Sequence, residues 1–180
     1  MVTVLVNGLP GAGKTTLARA LAAELRLPLF SKDAVKETLA DTLGVLRPAG
    51  FTDREWSRAL GAAAGETLWT LLADAGGRAV LESPWLAHTR PVVAAGLRRA
   101  GVATVLEVWC DVPPDVARRR FAARTAERHG VHPERPGGFG GDWDLWSRGA
   151  EPLGLGVVHR VDTTCPVDVP ALAAVLSAAR

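Results

Sequence analysis

An α/β fold, with a five-stranded parallel sheet between two layers of helices, is predicted by three observations. Apolar runs of strand length alternate with segments of helical periodicity along all 180 residues, the pattern of a parallel sheet covered on both faces. A glycine-rich turn, Gly8-Leu9-Pro10-Gly11-Ala12-Gly13-Lys14-Thr15, joins the first apolar run to the first helical one. No repeat or linker divides the chain, and a hydrophobic content of 48% suffices for one core, so residues 1–180 are expected to form a single domain.

The elements follow in order. Val2, Val4, Leu5 and Val6 make residues 2–7 a buried strand, and Leu17, Leu21 and Leu25 recur at helical spacing after Lys14. A short strand is expected at 27–30 and a helix from about Lys32. Thr52 and Glu55 have capping-box spacing, and Trp56, Leu60, Leu68, Trp69, Leu71 and Leu72 give the next helix an apolar face to about Ala73. Gly76 and Gly77 break the chain before a strand at 79–81; a helix at 91–99 and a strand at 102–110 follow. Pro113 and Pro114 open a helix carrying Arg118, Arg119, Arg120, Arg124 and Arg128, with the last three sharing one face at every fourth position. Residues 130–141, rich in Gly, Pro and His, read as a mobile loop, so a small lid is expected at about 124–142. A strand at 157–161 and a helix opened by Asp168 and Pro170 complete the chain.

The turn at 8–15 satisfies the phosphate-loop spacing of Gly, four residues, Gly-Lys-Thr, between a strand and a helix. Glycines let backbone N–H groups close around phosphate oxygens, and the helix start adds its positive dipole end. Lys14 is expected to hold the β and γ phosphates and the Thr15 hydroxyl to ligate Mg²⁺, with Gly8, Leu9, Pro10, Gly11, Ala12, Gly13 and Thr16 completing the nucleotide contacts. Thr16 reads equally as a helix residue facing the sheet. ATP and Mg²⁺ are therefore the expected cofactors.

Composition narrows the partners. Twenty-one basic residues against 19 acidic ones give a net charge of +2, too balanced to imply a nucleic-acid groove by itself, so a nucleic-acid partner is not expected. Cys110 and Cys165 make neither a metal-ligand spacing nor a disulfide framework. No apolar run reaches membrane-spanning length and the first residues enter a strand, so a cytoplasmic location without membrane partners is expected. Oligomeric state is not legible. The size leaves little room for motor machinery beyond the sheet and one lid, and no guanine-reading Asn-Lys-x-Asp occurs.

Residues 8–16, Ser31-Lys32-Asp33 with Lys36 and Glu37, Cys110-Asp111-Val112-Pro113-Pro114 followed by Arg120 and Arg124, and Val161-Asp162-Thr163-Thr164 together resemble the small phosphate-loop kinases often labelled AAA-type ATP-binding proteins. That group is similar to chloramphenicol phosphotransferase, shikimate and gluconate kinases, zeta-toxin kinases and the kinase half of polynucleotide kinase. The resemblance implies a three-layer P-loop NTPase fold of the nucleoside-monophosphate or shikimate kinase type. It matches nothing in residues 40–75 and 130–155, where such kinases receive the acceptor.

Asp33 follows the second short strand, so it should stand at the carboxyl edge of the sheet, where ligands of open α/β folds bind. A carboxylate there can take the acceptor hydroxyl's proton or serve the metal; the alternative is an acid placed in a helix's first turn. Glu82 ends the third strand where the resembling kinases often place an aspartate acting on Mg²⁺ through water. Its longer side chain leaves open a metal role, a substrate contact or an arginine partner. Ser83, Trp85 and His88 lie just beyond, as candidates to line the acceptor pocket, with His88 favoured as a surface residue.

The resemblance implies that Arg120 and Arg124 bring positive charge over the triphosphate, the alternative being a solvated stripe. It also implies that Asp162, Thr163 and Thr164 lie near the adenine, though Asp162 can equally cap a turn. Trp143 and Trp146 are candidates to close over a ring-bearing acceptor or to pack in the core, whereas Trp56, Trp69 and Trp109 read as packing residues. The expected activity is transfer of the γ-phosphate of ATP to a hydroxyl of a small molecule: an antibiotic, sugar, nucleoside or metabolite. The alternatives are a kinase of a nucleotide-sugar or polynucleotide end, and a nucleotide-binding switch that transfers phosphate to nothing.

Overall fold

The computed structural model describes residues 2–124, 127–132 and 140–179, with side chains of the last stretch described from Trp143 onward. Five strands, β1 (Thr3–Gly8), β2 (Leu29–Ser31), β3 (Ala79–Glu82), β4 (Leu106–Asp111) and β5 (Val157–Asp162), form one parallel sheet in the order β2-β3-β1-β4-β5. Seven α-helices are present among the described residues: α1 (Lys14–Leu25), α2 (Lys32–Leu43), α3 (Asp53–Asp74), α4 (Arg90–Arg99), α5 (Pro114–Ala123), α6 (Gly140–Arg148) and α7 (Val169–Ala178).

The sheet separates two cores. On one face Val4, Val6, Val80 and Val108 meet Leu17 and Leu21 of α1 and Leu176 of α7; on the other Leu5 and Leu81 meet Leu68, Trp69 and Leu72 of α3 and Val93 and Leu97 of α4. Alternate residues of β1 thus feed opposite cores, as the strand period of two requires. Every residue of β1 is buried, which explains why Val4, Leu5 and Val6 do not alternate with polar residues. All five strands end their carboxyl tips on the same edge, and β1 leads there into the glycine-rich turn.

Two strands start later than the apolar runs suggest, for one reason. The Leu27 N–H bonds the Ala22 carbonyl at 2.9 Å and the Val102 N–H bonds the Leu97 carbonyl at 2.9 Å. Each closes the end of the preceding helix, so pairing begins at Leu29 and Leu106. The capping box forms as read: Thr52 accepts from the Glu55 N–H at 3.2 Å and the Glu55 carboxylate accepts from the Thr52 N–H at 2.9 Å.

A larger difference concerns the arginines. α5 stops at Ala123 and Arg124 is its cap, so Arg128 is not on the helical face that carries Arg120. Helix α6 was not foreseen, because two glycines and two aspartates in 140–144 have loop composition. Residues 133–139 of the expected loop, and 125–126 with them in the expected lid, lie outside the described residues. Among the described residues no helix is long and apolar enough to cross a membrane.

Candidate active site

The glycine turn is held from below. Gly11 has φ 85°, and a Cβ there would lie 2.2 Å from the Ala117 carbonyl of α5, so only glycine lets the loop press against that helix. Gly13 caps α1 with φ 84°, no side chain caps the helix, and its first turn contains no acid. The first-turn N–H groups and the positive dipole end are therefore left for an anion. Asn7 steadies the loop entrance, accepting from the Gly8 N–H at 2.8 Å and donating to Glu107 at 3.0 Å.

The fully buried Glu107 carboxylate also accepts from the Leu153 and Gly154 N–H groups, each at 2.9 Å, which ties the segment after α6 to the loop. Neither Asn7 nor Glu107 stood out in sequence, since each looks like one polar residue in an apolar strand.

Lys14, Thr15, Asp33, Glu82 and Arg124 line one cleft of about 770 Å³. Lys14 is only 7% exposed and donates from Nζ to the Leu9 carbonyl at 2.8 Å. Burial lowers its pKa, with Glu82 acting the other way. Glu82, 4% exposed, accepts from the Thr15 hydroxyl at 3.3 Å and from the Ser31 hydroxyl at 2.6 Å. Because the Thr15 proton points to Glu82, the oxygen's lone pairs are available to a hard cation.

Magnesium needs only one or two protein oxygens when phosphates complete its shell, and Thr15, Glu82 and Asp33 supply oxygens of that kind. The donor set fits Mg²⁺. Ser31 is a site neighbour that sequence reading quoted within the Ser31-Lys32-Asp33 match but gave no role; its place at the tip of β2 was the available signal.

Asp33 stands in the first turn of α2 beside Lys32, at 3.3 Å, with its side chain 42% exposed. Burial alone would push its carboxyl up, but Lys32, then His132 and Lys14, outweigh that and hold it below the ordinary carboxylate range. It is thus an anion at neutral pH, able to accept a proton late in a reaction. Cys110, behind the loop, is pushed by burial up to about 12 and stays a thiol.

A second cleft of about 710 Å³ shares Gly11 and Arg124 with the first and is lined by Gly13, Thr16, Arg120, Thr163 and Thr164. Arg120 donates to the Thr163 and Thr164 carbonyls at 2.9 and 3.1 Å. The Thr163 hydroxyl donates to the Ala12 carbonyl at 2.7 Å, clipping this turn to the glycine loop. Asp162 accepts from the Thr164 N–H at 2.8 Å and hydroxyl at 2.6 Å, the turn-capping alternative foreseen for it. Arg124 is the arginine that faces both clefts, while Arg120 braces their common wall.

Sequence reading gave the far end of the first cleft no role, although Lys36 and Glu37 stand in the motif that carries the resemblance and Arg128 in the arginine series. Lys36, Glu37, Arg128, His129 and His132 line it. Lys36 Nζ donates to Ser57 Oγ at 2.7 Å and lies 3.4 Å from His132 Nδ1; His132 Nε2 lies 3.0 Å from Glu37 Oε1, and His129 Nε2 lies 3.0 Å from Asp41. Burial and Lys32 lower the Lys36 pKa to about 8, and burial lowers that of His132.

The tryptophans divide. Trp143 is 4% exposed and packs on Phe121, so it belongs to the core and not to a pocket wall; Trp146 contacts Phe121 edge-on at 5.5 Å and does line the cleft. Trp85 is also buried, stacked on Trp69, so it does not line the cleft as proposed, and Ser83 is buried beside it. His88 is exposed.

Comparison with known proteins agrees with this architecture. A family model described as AAA domain (AAA_33) matches residues 3–136. A "putative kinase" from Chloroflexus aurantiacus J-10-fl superposes with a TM-score of 0.81 at 34% identity, covering 98% of this chain and 97% of that one. Shikimate kinase from Aquifex aeolicus (TM-score 0.58, 15% identity, 99% and 96% covered) and a gluconokinase from Sinorhizobium meliloti 1021 (0.55, 20%, 99% and 93%) share the fold. Among curated proteins, the cytidylate kinase of Pyrobaculum neutrophilum is 47% identical over 45 residues, 25% of this chain and 24% of that protein. The match thus spans about a quarter of the length of such relatives.

Proposed function

The chain belongs to the AAA domain family, and from that premise we propose that it is an ATP-dependent phosphotransferase that moves the γ-phosphate to a hydroxyl of a small molecule. The observation that carries the reading is the shared cleft. The ionised Asp33 faces the same space as Lys14 and the uncapped start of α1, so an acceptor and a triphosphate can be held together. In the step, the acceptor oxygen attacks the γ-phosphorus, the bond from phosphorus to the β–γ bridging oxygen breaks, ADP leaves and the hydroxyl proton passes to Asp33. A weakly basic carboxylate suits a loose transition state, in which little negative charge must be drawn from the nucleophile early.

Lys14 and the loop N–H groups hold the phosphates; Arg124 meets charge on the transferring group. Thr15, with Glu82 and Asp33 near it, would hold Mg²⁺, which when bound neutralises phosphate charge. The base lies in the second cleft against the Thr163–Thr164 turn, braced by Arg120. Incubation with MgATP and a library of hydroxyl compounds, read by mass spectrometry, should reveal a product heavier by one phosphate that disappears in Asp33→Asn. ATP binding with no product in the library would favour the switch alternative.

One observation favours a second reading: the 45-residue likeness to cytidylate kinases points to a nucleotide acceptor, with phosphate as the nucleophile. Including CMP in the library separates the two, since its product would be a diphosphate.

A further inference from the structure

We infer that Lys36 forms an anion subsite, selecting an acceptor that carries a carboxylate or phosphate about one helical turn from its reacting hydroxyl. The inference rests on the phosphotransferase reading of the cleft. Lys36 is 7% exposed and its stem passes Gly61 of α3, yet its ammonium ends on the cleft. Its partners are Ser57 Oγ and His132 Nδ1, and among the described residues no carboxylate lies within ion-pair distance of it.

The histidine is a neutral partner. Since Nδ1 accepts from the ammonium, the imidazole proton resides on Nε2, where it is donated to Glu37 at 3.0 Å. Glu37 therefore hydrogen-bonds His132 and not Lys36, and acts on the ammonium only at a distance. An ammonium has three donors, of which two are used; Asp33 and Glu37 act on it only at a distance, and a buried cation whose hydrogen-bond partners are all neutral is costly unless an anion joins it.

Position adds the second constraint. Asp33 and Lys36 are three residues apart on α2, so they share a face and stand about 5 Å apart along its axis. A hydroxyl presented to Asp33 and an anionic group at Lys36 must then belong to one compact molecule, such as a hydroxy acid or a phosphorylated polyol. A neutral sugar or polyol would leave the ammonium unmet.

The test uses wild type, Lys36→Gln and Lys36→Arg with the nucleotide site filled by a magnesium complex of a non-hydrolysable ATP analogue. Calorimetry then compares matched probes: D-gluconate against sorbitol, and glycerol 3-phosphate against glycerol. The expected result is that at least one anionic probe binds more tightly than its neutral match, that Lys36→Gln weakens it about 10–100-fold, and that Lys36→Arg keeps most of the affinity. The carboxylate and phosphate pairs tell which anion is preferred.

Equal binding of charged and neutral members, no binding by either anion, or unchanged affinity in Lys36→Gln would overturn the subsite. Product formation with MgATP reports separately on the parent reading. Binding that depends on Lys36 without transfer would leave the subsite standing and sink the kinase, whereas transfer to neutral probes in preference to charged ones would do the reverse.

Discussion

At the loop end of the cleft, charge is handled by backbone groups and by residues adjacent in sequence; at the far end it is handled by side chains drawn from separate elements. Gly11, Gly13, Lys14 and Thr15 are contiguous, and their geometry follows from glycine conformations and one helix start. Lys36 and His132, by contrast, are 96 positions apart and meet only because α2 and the segment 127–132 come together. On the phosphotransferase reading, the loop that would hold the donor's phosphates is preorganised by local structure, with Glu82 alone reaching Thr15 from β3, whereas acceptor choice would depend on tertiary packing. Substitutions at the two ends should accordingly fail in different ways.

The largest effect is expected where the two ends meet. Asp33→Asn keeps size and hydrogen bonding but loses the proton acceptor, so kcat should fall about 10²–10⁴-fold while ATP affinity holds. Single-turnover kinetics with a titration of nucleotide binding check both halves. An unchanged kcat would remove Asp33 from the chemistry and leave it as a helix-start acid.

Next come the arginines, which separate chemistry from scaffolding. Arg124→Ala should lower kcat about 10²–10³-fold, because that guanidinium faces both clefts. Arg120→Ala should act on nucleotide KM instead, since its donors are engaged by the Thr163 and Thr164 carbonyls. Steady-state kinetics of the pair would break the assignment if the two variants shared one profile. Smaller again is Glu82→Gln: the Thr15 and Ser31 hydroxyls keep an acceptor, but the charge is gone, so the Mg²⁺ concentration for half-maximal rate should rise about 10–100-fold.

The same contrast explains what was legible in the sequence. Strand, glycine turn and helix could be read because each is decided within a few residues, and burial on both faces leaves Val4, Leu5 and Val6 as one apolar run. The ends of β2 and β4 were misplaced because Leu27 and Val102 look like strand residues but close helices. Arg128 was placed on the α5 face because periodicity says nothing of where a helix stops. Lys36 and Glu37 stand in the motif beside Asp33, but their meeting with His132 was invisible because no local pattern relates residues that distant. Trp143 and Trp146 are nearly adjacent and chemically identical, and both rings meet Phe121, yet one is core and one lines the cleft; that is decided by tertiary packing and not by residue type.

The smallest expected effect tests the acceptor end by pH. Lys36, with a pKa near 8, faces Lys32, Asp33 and Glu37 of its own helix, Ser57 of α3, and Arg128 and His132 of the neighbouring segment. Below that value it is a cation; above it the ammonium is lost, so the acceptor kcat/KM should fall as pH rises, by about tenfold per unit. A bound anion favours the protonated lysine, so kcat should hold to higher pH than kcat/KM, and Lys36→Arg should move the limb out of range.

Stability runs the other way. The unfolded lysine titrates near 10.5 and the folded one near 8, so between those values the unfolded chain binds more protons and stability contributed by this residue rises with pH. Thermal melts and acceptor kinetics should therefore diverge above pH 8 in wild type, and the divergence should be absent in Lys36→Gln; parallel curves would mean that Lys36 does not carry the charge that recognises the acceptor.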